Sequence, residues 1–114
     1  MANIGGNITG TIQTYTTVKN AIGESEKTWS DAFRQVGWLG LQSGDSDYSN
    51  HNTKMEESSH VFLCDFRSDI YALADRDTRM IIKGFVYDVL LIDNPDEMNY
   101  QLEIYLRKVG AWNG

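Results

Sequence analysis

The sequence predicts a mainly β protein: a small single-domain β-barrel of five to six strands, spanning residues 1–114, with at most one short helix and a long internal loop at residues 43–58. Three observations predict it. Apolar residues recur with period two, the alternation that sends successive side chains to opposite faces of a sheet. Helical spacing is confined to one brief stretch. Turn residues divide the 114-residue chain into several short apolar runs, a spacing that favours a closed or nearly closed barrel over an open sheet. A composition of 41% hydrophobic and 23% charged residues is that of one globular domain. A chain of this size buries roughly two-thirds of its unfolded surface, so its single core is thin.

The first strand is read in "NITGTIQTYTTV", where Ile8, Gly10, Ile12 and Thr14 alternate with Thr9, Thr11, Gln13 and Tyr15. A turn follows at "NAIGES", with Gly23 as the residue in the left-handed region. The second half of "TWSDAFRQVGWLGL" reads as strand despite its glycines. "HVFLCDF" gives another strand over Val61–Phe66, apolar enough to be covered on both sides. "SDIYALAD", Ser68 to Asp75, has Ser68 or Asp69 as N-cap and an Ile70, Leu73, Ala74 spacing that suits a turn or two of helix. Arg79–Lys83, Phe85–Ile92 and Tyr100–Val109 form a three-strand meander. Its first connection is the tight Lys83-Gly84 turn, and its second is a longer loop around Pro95, the only proline. In the last strand Tyr100, Leu102, Ile104 and Leu106 share one face, and Gln101, Glu103, Tyr105 and Arg107 the other.

Between "VGWLGL" and "VFLCDF" lies the polar segment "QSGDSDYSNHNTKMEESSH", Gln42 to His60. A loop longer than about 12–15 residues inside a compact domain is uncommon and usually functional or disordered. Asp45, Asp47, Glu56 and Glu57 against Lys54 give this one an excess of three negative charges. Asp45, Asp47, Tyr48, Lys54, Glu56 and Glu57 are its candidate functional residues.

Several function classes are disfavoured. A net charge of −6 and scattered basic residues make a poor phosphate-binding surface. One cysteine, Cys64, permits no internal disulfide and suits a reducing compartment. "MANIGGN" has neither the basic nor the apolar region of a signal peptide, and no apolar run approaches the ~20 residues needed to span a bilayer. The expectation is a soluble protein made in the cytoplasm. No phosphate-binding loop, dinucleotide fingerprint, nucleophile elbow or cysteine pair is present. His51 and His60 with Asp45 or Glu57 lack any specific metal spacing. Asp75 and Asp77 form a D-x-D without the glycine and distal glutamate of a calcium loop. Cys64, inside an apolar strand, reads as a small buried hydrophobe. Asp65 looks outward or caps the next turn, and Asp88 reads as a hydrogen-bonded structural carboxylate. No catalytic residue, metal site or cofactor is expected. Trp29, Trp38 and Trp112 are candidate subunit contacts, because tryptophan is enriched at interfaces. They could equally fill a small barrel.

The stretches "YTTVKNAIGES", "GWLGLQSGDSDYSNHNTKMEESSHVFLCDF" and "GFVYDVLLIDNPDEMNYQLEIYLRKVG" resemble the small head-tail connector proteins of tailed bacteriophages and defective prophages. The similarity is to the Bacillus PBSX type, related to the head-closure, or stopper, and head-tail joining proteins of siphophages, and it covers roughly Tyr15 to Gly110. It implies a non-enzymatic β-barrel that assembles into a homo-oligomeric ring in the virion, beneath the portal and its adaptor. The ring closes the DNA-filled head, lets phage DNA pass without tight binding and offers a platform to the tail or a tail-completion protein, with no membrane involved. In stopper relatives a long inter-strand loop projects into the channel, and the matching segment here lies between Leu41 and Val61. A tail-completion or adaptor role in the same neck region is the alternative within the class. Outside it stands an OB-type nucleic-acid-binding barrel using Tyr15, Trp38 and Tyr105 as stacking platforms.

Overall fold

The structure is a computed structural model that describes residues 4–41, 58–74 and 77–113, apart from the Lys27 side chain. Its strands are β1 (Ile8–Lys19), β2 (Ser25–Leu41), β3 (His60–Asp65), β4 (Thr78–Ile82), β5 (Phe85–Asp93) and β6 (Gln101–Ala111), with one short helix, α1 (Ser68–Tyr71), and a 3₁₀ turn at Pro95–Glu97. All neighbouring strands are antiparallel. They close in the order β1-β2-β3-β6-β5-β4 and back to β1. Closure removes the sheet edges that an open arrangement would leave unpaired.

The period-two pattern becomes the core. Ile12, Phe62, Cys64, Met80, Ile82, Leu102, Ile104 and Leu106 are buried inside the barrel, each contributing on the order of 1.5–3 kcal/mol where a whole aliphatic or aromatic side chain is withdrawn from water. Ile70 and Leu73 of the α1 segment close the same cluster. The Lys83-Gly84 turn has positive φ at both residues, 50° and 79°, the geometry that suits the right-handed twist of a two-residue hairpin. Gly23 has φ 85°.

The structure corrects the sequence reading in several places. β2 is 17 residues long and begins at Ser25, well before the half of "TWSDAFRQVGWLGL" expected to be strand. Its first part forms a two-stranded arm with β1. Beyond Thr14 no β4 residue continues the β1 register, and β3 meets β2 only from Trp38 onward. Both faces of the arm's outer part are solvated, which suppresses the alternation that reveals a strand. The outer face of β3 is only partly covered: Val61 and Leu63 are half-buried. The N-terminal segment lies alongside, where the Ile4 amide donates to Asp65 Oδ1 at 2.7 Å and the Trp38 indole donates to the Ile4 carbonyl at 2.9 Å. Arg67, rather than Ser68 or Asp69, occupies the N-cap of α1. The Asp69 carboxylate is instead held by the Arg67 guanidinium at 2.7 and 3.1 Å, which keeps it below the usual carboxylate range. Tyr100 precedes β6 and is exposed rather than sharing the buried face.

Candidate assembly surfaces

The outer wall is organised by a bulge. Ile12 pairs with Phe33 but Gln13 pairs with Asp31, leaving Ala32 as the extra residue and re-aiming the side chains beyond it. Register then aligns Asp31, Gln13, Arg79, Asp88 and Arg107 across β2, β1, β4, β5 and β6. Gln13 Nε2 donates to Asp31 Oδ1 at 2.8 Å, Arg79 Nε donates to Gln13 Oε1 at 2.7 Å, and Arg107 Nη2 donates to Asp88 Oδ2 at 3.2 Å. A row of alternating polar partners thus belts one side of the barrel. Asp88 is hydrogen-bonded, as expected, but its side chain is 43% exposed, so it is not a buried charge inside an apolar strand.

The three tryptophans occupy different places. Trp29 is half-buried on the arm, stacked on Tyr15 at 4.5 Å with the Arg79 guanidinium 4.4 Å from its ring centroid. Tyr15 and Trp29 line an open groove of about 340 Å³ together with Asp77, Asp88 and Arg107. Trp38 and Trp112 are 44% and 42% exposed, which leaves their rings accessible on the outer surface. Tyr105 is 4% exposed, with its hydroxyl donating to Glu103 Oε1 at 2.7 Å, and burial raises its pKa. It therefore offers no face for stacking, and one face of Tyr15 is taken up by the stack on Trp29.

The remaining candidates are structural. Cys64 is fully buried, and burial pushes its thiol up to about 12, the opposite of an activated nucleophile. His60 is the first residue of β3. Its ring packs edge-on against Tyr87 at 5.2 Å, its Nδ1 lies 2.9 Å from Ser59 Oγ, and burial together with Lys108 lowers its pKa. Asp77 is at the groove and its carbonyl accepts from the Tyr15 amide at 3.2 Å, while Asp75 lies outside the described residues. Among the described residues no three His, Cys, Asp or Glu side chains cluster as a metal site, and no helix is long and apolar enough to cross a membrane.

The candidate loop residues Asp45, Asp47, Tyr48, Lys54, Glu56 and Glu57, and His51, lie outside the described residues. The structure does place the two ends of that segment. Leu41 and His60 are direct register partners. Ser58, expected to belong to the loop, is buried, and the Ser59 amide donates to the Leu106 carbonyl at 2.7 Å.

Over residues 9–109 the sequence matches the phage head completion protein family. The chain belongs to that family. Head completion proteins are structural parts of phage particles that work beside other head and tail proteins. The fold resembles the solution structure of protein SF1141 from Shigella flexneri 2a, with a TM-score of 0.63 at 19% identity over 95% of this chain and 96% of that one. No curated protein matches the sequence.

Residue spacing alone did not reveal the Asp31-to-Arg107 row. One part of it was recoverable: a turn pairing Lys19 with Ser25 sets Tyr15 opposite Trp29 and Gln13 opposite Asp31 by counting back along the hairpin. The bulge at Ala32 breaks that count before Ile12.

Proposed function

We propose that this head completion protein is a non-enzymatic connector subunit that forms a ring, closes the DNA-filled head and joins it to the tail. The observation that carries the reading is the family match across nearly all of the barrel, residues 9–109. The closed barrel supports it as a rigid unit that can be repeated around an axis, and exposed Trp38 and Trp112 support it as rings available to neighbours. In this reading the portal or its adaptor lies on one side and a tail or tail-completion protein on the other, after assembly from subunits in the host cytoplasm.

The segment after Leu41 faces the channel or a neighbouring subunit. Its excess of three negative charges, multiplied around a ring, repels DNA phosphates and favours passage over retention by the wall. The net charge of −6 works in the same direction.

An in-frame deletion of the gene in a phage that carries it tests the proposal. Electron microscopy should show heads that lose their DNA and separate tails, with normal particles restored by supplying the chain in trans. Tailed, DNA-filled particles from the deletion strain would overturn it.

A further inference from the structure

The β5–β6 hairpin ends in two unlike patches. At one end, around the Pro95–Glu97 turn, Asp96 and Glu97 are exposed beside Met98 and Tyr100, which are 72% and 41% exposed. Pro95, Met98 and Tyr100 rim a depression of about 310 Å³. Asp96, Glu97 and Asn99 all have positive φ, 54°, 52° and 56°, an arrangement disfavoured for residues with a side chain. It holds the two carboxylates and Met98 out from the barrel.

At the other end, Lys83 and Lys108 accompany Phe85, Val109 and Trp112. The Lys108 ammonium sits 3.8 Å above the Phe85 ring, and the Trp112 amide donates to the Gly84 carbonyl at 2.9 Å, tying the C-terminal tryptophan to the β4–β5 turn. Val86 pairs with Gly110 and Tyr87 with Lys108, so Val109 is the extra residue of a bulge and projects outward. Five of the ten large exposed hydrophobics of the described residues belong to these two ends.

The patches are complementary in charge, acidic with apolar against basic with apolar. They cannot meet within one chain: Phe85 and Ala111 pair at one end of the hairpin and Asp93 and Glu103 near the other, a separation of roughly 30 Å over nine strand residues. Among the described residues, Lys83, Asp96 and Glu97 form no ion pair.

We infer that the acidic Asp96–Tyr100 end of one copy docks on the basic Lys83–Phe85–Lys108–Trp112 end of the next. The partner is a second copy of this chain. A contact between two different patches of identical chains is heterologous and propagates, giving a ring when its rotation closes. Met98 and Tyr100 meet Phe85, Val109 and Trp112 at the centre, and the charges set the register at the rim. This rests on the ring reading above and supplies its interface.

Charge reversal tests the contact in particles. K83E/K108E makes both ends acidic, and D96K/E97K makes both basic. Each pair is expected to cut the yield of tailed, DNA-filled particles more than about tenfold, since like charges then face each other. The four substitutions together exchange the patches and are expected to restore the yield to within a few fold. Circular dichroism of each purified variant separates misfolding from lost assembly. In addition, purified K83E/K108E and D96K/E97K proteins should each sediment as monomers and associate when mixed. Normal particles from either pair, or failure of the folded fourfold variant to recover, would overturn the contact. Those results leave the gene-deletion phenotype unchanged, so failure of the interface is distinguishable from failure of the connector role.

Discussion

Gln13 and Arg79 face each other across β1 and β4, and the Arg79 Nε donates to Gln13 Oε1 at 2.7 Å while its guanidinium covers the Trp29 ring at 4.4 Å. Gln13 in turn donates to Asp31, so one arginine ties the base of the β1–β2 arm to the barrel. The arm's outer part has no third strand, and an isolated two-stranded ribbon is marginally stable in water.

Arg79→Ala is therefore expected to cost about 1–3 kcal/mol by loss of a charged hydrogen bond and a cation–π contact. Trp29 should also become more solvent-quenched. Arg79→Lys should recover only part, since an ammonium cannot both lie flat on the indole and reach Gln13 in the same geometry. Urea denaturation and acrylamide quenching of tryptophan fluorescence check both statements.

The glycines of β2 separate a packing requirement from a neutral site. A Cβ on Gly37 would run into the Leu63 carbonyl and come within 2.7 Å of the Phe62 ring, whereas one on Gly40 would meet open space. Gly37→Ala is expected to destabilise by about 1–3 kcal/mol through overpacking. Gly40→Ala should lie within about 0.5 kcal/mol of the parent. Equal urea midpoints for the two variants would refute the close approach of β2 to β3.

How much of this was legible in the sequence depends on whether a strand has one wet face and one dry face. β6 does so in part: Leu102, Ile104 and Leu106 are buried, as their alternation foretold, while Tyr105 on the other face is buried as well. The Lys83-Gly84 turn was legible because two positive φ angles need a residue such as glycine. The β2 side of the arm was missed because Ser25, Glu26, Thr28 and Ser30 to Ala32 are all exposed, and the bulges at Ala32 and Val109 move residues between faces without any compositional mark. Arg67 at the start of α1 illustrates a further limit. Local rules favour Ser68 or Asp69 as cap, but the Arg67 guanidinium binds Asp69 and also reaches Gln35 Oε1 at 3.1 Å on β2, a tertiary contact no local rule contains. The assembly surfaces were legible only as a surplus of aromatic residues, since the patches draw on segments brought together by register.

Stability should fall at alkaline pH. Burial raises the Cys64 thiol from its ordinary 9.0 to about 12 and raises Tyr87 above 10.0. In each case the unfolded chain loses its proton first, so the folded state's advantage is complete below the unfolded pKa and is lost as pH climbs through the folded one. For Cys64 the window runs from 9.0 to about 12. Cys64→Ala, which removes the titrating group, should flatten the decline of the urea midpoint across that window. A thiol reagent should label the native parent only as fast as it unfolds.

The segment between β2 and β3 should be dispensable for folding and required for assembly. Leu41 and His60 are register partners, so their ends already lie at hairpin distance and a short connection can join them. Ser58 is buried and Ser59 is bonded to β6 at Leu106 and Lys108, so the excision must stop at residue 57. Replacing residues 43–57 by Gly-Asn-Gly shortens the loop several-fold, which lowers closure entropy by about 1 kcal/mol and should raise the urea midpoint slightly with an unchanged circular dichroism spectrum. Because the four carboxylates and Lys54 leave with the segment, the same variant supplied to a deletion phage is expected to give particles that fail to hold DNA or to join tails. Unfolding of the variant would show that the segment completes the barrel, and normal infectious particles would show that it has no part in closure.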